Sequence, residues 1–207
     1  MGNKEASVPL IAPSHAAAPN FVQLQDDEAA LFGYGSLFCA ASMERSLGRR
    51  YVAPFVICSL DGWRRAWDVA MPNGVFYTET ASGRVYPQLI VYLNVHPARA
   101  TQLNGVLFVI KKQEMDLFDR REWIYDRVDI TAQVRGVHVS GGKAYVYVGK
   151  PEHLLSEATS IAQAAIRRTY LEILETGFNE LGQTFREDYE RSTQQIPTHL
   201  VIDDHKD

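Results

Sequence analysis

The order of the hydrophobic periodicities constrains this chain most: strand-like runs come first and helix-like runs come last. Apolar or alternating runs occupy residues 29–34, 51–60, 63–69, 74–80, 88–96 and 105–110, as expected of strands. Ser140-Gly141-Gly142-Lys143, between the runs 134–139 and 144–148, reads as the turn of a hairpin. Helical spacing then takes over. Over residues 156–175, Ala162, Ile166, Tyr170, Ile173 and Leu174 share one face, and Gly177 suits the position just past the helix end. A more polar helix is expected over 179–191, and shorter ones over 42–47 and 112–122. Strands grouped before helices predict an α+β domain and not a doubly wound parallel sheet.

At 207 residues the chain is one large domain or two small ones. No repeat or low-complexity linker divides it. The first 19 residues are rich in Ala, Pro, Ser and Asn and show no apolar periodicity, so 1–25 is expected to be a disordered tail. One domain is then expected over 26–198, with a short polar tail at 199–207.

Composition narrows the function classes. A net charge of −4 with both signs interspersed, and no aromatic-basic pattern, argues against a nucleic-acid surface. No apolar run approaches the roughly 18–20 residues that a bilayer span requires. Residues 1–30 lack a basic segment followed by an apolar one, so no signal peptide is expected. Cys39 and Cys58 are then expected as reduced thiols, and the cytoplasm as the location.

Two places carry chemistry. In Phe32-Gly33-Tyr34-Gly35-Ser36-Leu37 a strand meets a turn and then a helix. Glycines there let backbone N–H groups converge on an anion; a plain strand-ending turn is the alternative. Gly33 and Gly35 are only a fragment of a dinucleotide fingerprint, and no P-loop lysine follows. Ser36 lacks the flanking glycines of a hydrolase nucleophile elbow.

The second place is Glu122. Met115, Phe118 and Glu122 fall at i, i+3 and i+7, one face of a helix. If Met115 and Phe118 face the core, Glu122 points inward, where burial raises a carboxyl pKa and suits it to proton transfer near neutrality. Alternatively the helix frays first, and Glu122 pairs with Arg120, Arg121 or Arg127 at the surface. The histidines are scattered and have no metal-ligand spacing. Trp63, Trp67 and Trp123 read as core, and Tyr125, Tyr145 and Tyr147 as strand residues that matter only if they face Glu122.

Taken together these residues resemble the γ-glutamylcyclotransferase superfamily. The loop at 32–37 is similar to that family's Tyr-Gly-Ser loop, and Leu117-Phe118-Asp119-Arg120-Arg121-Glu122 to its helix ending in a catalytic Glu. Asn104-Gly105-Val106-Leu107-Phe108, Tyr125-Asp126-Arg127-Val128 and Ala144-Tyr145-Val146-Tyr147-Val148 are similar to its strands, and Thr169-Tyr170-Leu171 extends the match into the terminal helix. The resemblance implies a small mixed, barrel-like sheet flanked by helices, with C-terminal helices. It implies a cofactor-free reaction that cyclises a γ-glutamyl group to 5-oxoproline and releases the attached amine. Glu122 is implied as general acid and base, with Tyr34, Gly35, Ser36, Leu37, Tyr125 and Tyr145 (or Tyr147) binding the substrate. Leu37 departs from the Asn of the animal general enzymes. The loop and Gly62-Trp63-Arg64-Arg65 look more like the glutathione-specific branch. The γ-glutamyl compound is left open, as is a homodimer, and a binding module of the same fold without catalysis is the rival reading.

Overall fold

The computed structural model describes residues 21–53 and 55–207. Strands β1 (Phe21–Gln23) and β2 (Glu28–Gly33) are followed by helix α1 (Ala40–Leu47). The long strand β3 (Phe55–Pro72), the short β4 (Phe76–Thr80) and β5 (Gly83–Val85), and the long β6 (Leu89–Lys111) come next. Helix α2 (Met115–Arg121) leads to β7 (Tyr125–Asp129), β8 (Val134–Arg135), β9 (His138–Ser140) and β10 (Ala144–Gly149). Then come β11 (Ala164–Arg167), α3 (Arg168–Leu181), α4 (Gln183–Arg191), β12 (Val201–Ile202) and β13 (His205–Lys206).

The main sheet has the order β12-β11-β6-β2-β10-β7, with β3 paired to β6 and β8 to β3. It is mixed: β2 runs antiparallel to β6 but parallel to β10, and β11 is parallel to both β6 and β12. Ala29–Gly33 is wholly buried between its two neighbours, which is why it reads as an unbroken apolar run. The runs at 51–60 and 63–69 belong mostly to the single strand β3, and those at 88–96 and 105–110 to β6. Between the latter two, residues 97–102 are largely exposed and include Pro97 and the positive-φ Ala100, so that stretch resembles a loop in sequence. Register shifts at Asp61/Trp63 and Ala66/Val69, the first at Gly62 with φ +79°, bend the β3–β6 ribbon. The sheet accordingly curls into a half barrel flanked by helices.

Several expectations are corrected. The stretch 156–175 is not one helix: Ala164–Ile166 is strand, fully buried and paired on both edges, and α3 starts only at Arg168. Gly177 lies inside α3, where an added Cβ would meet the Phe38 ring at 2.3 Å; the helix is capped instead by Gly182 at φ +92°. The glycine turn at 140–143 closes no hairpin, because β9 pairs with β1 while β10 pairs with β7 and β2. The expected tails are partly sheet. Residues 1–20 lie outside the described part, but Phe21–Gln23 is a strand anchored by buried Val22 and Leu24. Near the other end, buried Leu200 and Ile202 bring Val201–Ile202 alongside β11. Cys39 and Cys58 are buried free thiols. No described helix is long and apolar enough to cross a membrane.

Candidate functional site

The loop leaving β2 is fixed from three sides. It folds back on itself as a 3-10 turn, Ser36–Phe38, directly over Gly33. A Cβ on Gly33 would lie 2.8 Å from the Leu37 carbonyl carbon and 3.0 Å from the Phe38 nitrogen, both backbone atoms that cannot swing aside. Gly33→Ala is therefore expected to destabilise the protein by about 1–3 kcal/mol, the usual penalty of overpacking, measurable by chemical denaturation. Phe38 is buried against Phe178 of α3 and Phe185 and Tyr189 of α4, with ring centroids 5.2, 5.4 and 5.5 Å away. The third restraint is Arg65, fully buried on β3, whose Nε donates to the Tyr34 carbonyl at 3.0 Å.

Glu122 sits just past the end of α2. Its N–H donates to the Phe118 carbonyl at 2.8 Å, so the helix stops one residue short of the expected 112–122 span. Met115 and Phe118 are buried as expected, and the Glu122 side chain is only 15% exposed. Both sequence alternatives hold in part: the carboxylate is turned inward, and it pairs with Arg121, Nε to Oε1 at 3.0 Å. Burial pushes its pKa up, while the Arg121 guanidinium pulls it partly back. The other Arg121 nitrogens donate to the Ser42 carbonyl, Ser46 Oγ, Ser42 Oγ (3.0 Å) and Ser36 Oγ (2.9 Å). One guanidinium thus ties the carboxylate to the glycine loop and to α1.

Glu122 and the loop residues Tyr34, Gly35, Ser36 and Leu37 line one cleft of about 550 Å³. Tyr125 lines it too, its hydroxyl donating to the Leu93 carbonyl at 2.8 Å. Tyr145, expected here, does not. Strand β10 runs parallel to β2, and Tyr145 lies beside Leu31, before β2 reaches the cleft. Tyr147, two residues further along the same face, lines it instead and donates to Asp119 Oδ1 at 2.7 Å. Tyr34 donates to the Tyr147 carbonyl at 2.8 Å. Tyr170 brings its hydroxyl within 3.0 Å of where a Gly35 Cβ would stand. Burial raises the pKa of all five cleft phenols, Tyr34, Tyr92, Tyr125, Tyr147 and Tyr170, so they act as neutral hydrogen-bonding groups. Trp123 is not core: it lines the cleft at 45% exposure, ring edge against His153.

The fold has solved counterparts. The chain is similar to a γ-glutamyl cyclotransferase with a TM-score of 0.53 at 11% identity, over 82% of this chain and 90% of that one. The chain has the γ-glutamylcyclotransferase fold. An uncharacterized human protein gives a TM-score of 0.53 at 13% identity, over 83% of this chain and 90% of that one. YkqA from Bacillus subtilis gives 0.51 at 16% identity, over 80% of this chain and 54% of that one. No family model and no curated protein matches the chain in sequence.

Within this fold, sequence reasoning missed three arginines and a tyrosine. Arg65 was visible only as part of Gly62-Trp63-Arg64-Arg65, with no sign that it would be buried. Arg121 stands out in the sequence solely as an ion partner for Glu122. Tyr92 and Arg167 both line the cleft, yet one sat in an ordinary strand run and the other in what reads as a helix.

Proposed function

We propose that this chain is a γ-glutamylcyclotransferase-type enzyme that converts the γ-glutamyl group of an amide or peptide into 5-oxoproline and frees the attached amine. The observation that carries this reading is a carboxyl, Glu122, whose pKa is raised by burial, facing a cleft shared with the Tyr34–Leu37 loop. The substrate's α-amine attacks its own γ-carbonyl carbon. A C–N bond closes the five-membered ring, and the C–N bond to the leaving amine breaks. Glu122 takes a proton from the α-ammonium and returns it to the departing nitrogen. It then takes a second proton from the ring nitrogen and passes it to the released amine, which leaves as an ammonium, so no proton is gained or lost overall. The backbone of Tyr34, Gly35, Ser36 and Leu37 holds the α-carboxylate and sets the attack geometry, while Tyr125 and Tyr147 line the remaining wall.

The direct test is incubation with a panel of γ-glutamyl compounds and measurement of 5-oxoproline; no product from any of them would remove the reading. The pH dependence is a second check. A base must be ionised, so kcat should rise with pH through an acid limb centred above the reference of about 4.3 for glutamate, because burial disfavours the charged form. A kcat that stays flat through that limb takes Glu122 out of the role of base.

One observation favours a binding module of the same fold. The Arg121–Glu122 ion pair at 3.0 Å stabilises the carboxylate in its charged form and lowers its basicity. That reading expects a γ-glutamyl compound to bind without being consumed, which calorimetry combined with product analysis separates from turnover.

A further inference from the structure

Arg121 is the last residue of α2, one position before the carboxylate it pairs with. Its guanidinium joins groups that lie far apart in the sequence. Nε is ion-paired with Glu122 Oε1 at 3.0 Å. One terminal nitrogen donates to the Ser42 carbonyl at 3.0 Å and to Ser46 Oγ, both on α1. The other donates to Ser36 Oγ of the loop at 2.9 Å and to Ser42 Oγ at 3.0 Å. Every nitrogen is thus engaged, which holds the planar group in one orientation. Ser42 is itself buried, so α1 gives the guanidinium a fixed seat.

The pairing treats the two carboxylate oxygens differently. Oε1 is held by Arg121, whereas Oε2 accepts no hydrogen bond among the described residues and is not sealed off. The side chain that carries it lines the cleft. Five phenols face the carboxyl: Tyr34 on the loop, Tyr92 on β6, Tyr125 on β7, Tyr147 on β10 and Tyr170 on α3. Burial keeps each of them neutral. Asp119, one turn earlier on α2, is paired with Arg127. Arg45 and Arg167 also line the cleft, but neither forms an ion pair with Glu122. Arg121 is therefore the charge that acts on this carboxylate.

We propose that Arg121 is a positioning residue for the cyclisation: it holds Glu122 Oε1 and the Ser36 turn as one body, so that Oε2 carries every proton of the reaction. This rests on the cyclotransferase reading above. In that reading the loop holds the α-carboxylate of the substrate, and the loop is tied through Ser36 to the same guanidinium that orients the base. The separation of base and α-ammonium is then set by the protein before the substrate enters. One oxygen both receives and delivers, so the carboxyl need not rotate between the transfers.

The test measures kcat against pH for the wild type, Arg121→Met and Arg121→Lys, each shown to be folded by a melting curve. The probes are γ-glutamylalanine and γ-glutamylcysteinylglycine, and the one that the wild type turns over faster is used throughout. In Arg121→Met the kcat plateau above the acid limb should fall by about 10–100-fold, a loss that a displacement of about 1 Å can cause. Its acid limb should also move to higher pH. Burial pushes the Glu122 pKa up, and the charge that pulls it partly back is gone. Arg121→Lys keeps the charge, so its limb should stay near that of the wild type. A single ammonium cannot span Glu122, Ser36 and Ser42 together, so its plateau should still fall by about 10-fold. A wild-type plateau in either folded variant would overturn the assignment, as would a limb that does not move in Arg121→Met. If Arg121→Met does not fold, the plateau of Arg121→Lys decides. No 5-oxoproline from the wild type with either probe would instead overturn the cyclotransferase reading, and this inference with it.

Discussion

Exchanging Glu122 for glutamine is expected to lower kcat for 5-oxoproline release by about 10²–10⁴-fold, the usual contribution of a general acid–base group. Glutamine has the same shape but cannot carry the proton from the α-ammonium to the leaving nitrogen. Stability should hold or rise slightly, and the sign follows from the pKa. Burial raises the folded-state value above the unfolded one, so the folded protein retains its proton to higher pH. Stability from this group is therefore greatest below the unfolded pKa and is lost as pH rises through the folded one. When the carboxyl is ionised, its buried charge is a cost that the neutral amide removes. Arg121 keeps its bonds to Ser36, Ser42 and Ser46, so the loop should stay in place. The measurement is steady-state kinetics beside a melting curve. Activity within a few-fold of wild type, with the fold intact, would exclude Glu122 from proton transfer.

The second large effect is expected at a residue outside the cleft. Arg65→Met should destabilise the protein by about 2–6 kcal/mol, because two buried carbonyls, those of Tyr34 and Asn104, lose their donor at about 1–3 kcal/mol each. In a chain of this size that corresponds to a melting temperature lower by about 4–24 °C. Burial pushes the Arg65 pKa down to about 10, yet among the described residues no carboxylate balances the charge in its hydrogen bonds. What holds it are those carbonyls, Asn104 Oδ1 at 3.0 Å, the hydroxyls of Ser192 and Thr193 at 2.8 and 3.2 Å, and the Tyr189 ring 4.0 Å below the guanidinium. Arg65→Lys should rescue little, since a single ammonium cannot span Tyr34, Asn104 and Ser192 together. A melting temperature within about 2 °C of wild type for the methionine variant would show that the loop needs no such anchor.

The two arguments draw on different information. Glu122 could be read from the chain because its neighbours Phe118 and Met115 are one and two turns away, within the reach of helical periodicity. The same holds for β2, whose unbroken apolar run reported burial on both sides, and for the glycine loop, where Gly33 marks a close backbone approach. Local pattern also gave the α+β class, since strand and helix periods differ and their order along the chain is plain.

Tertiary structure alone decided the rest. Ala164–Ile166 fits a helix by spacing, but burial between β6 and β12 makes it a strand, and no window of neighbouring residues contains either partner. Tyr145 and Tyr147 are equivalent in an alternating pattern; the parallel register of β10 against β2 places only the second at the cleft. Arg65 meets Ser192 across 127 positions and Arg121 meets Ser36 across 85. Sequence periodicity reports which face of an element is buried. Which distant groups meet on that face depends on register, strand order and curl, and those are properties of the packed sheet.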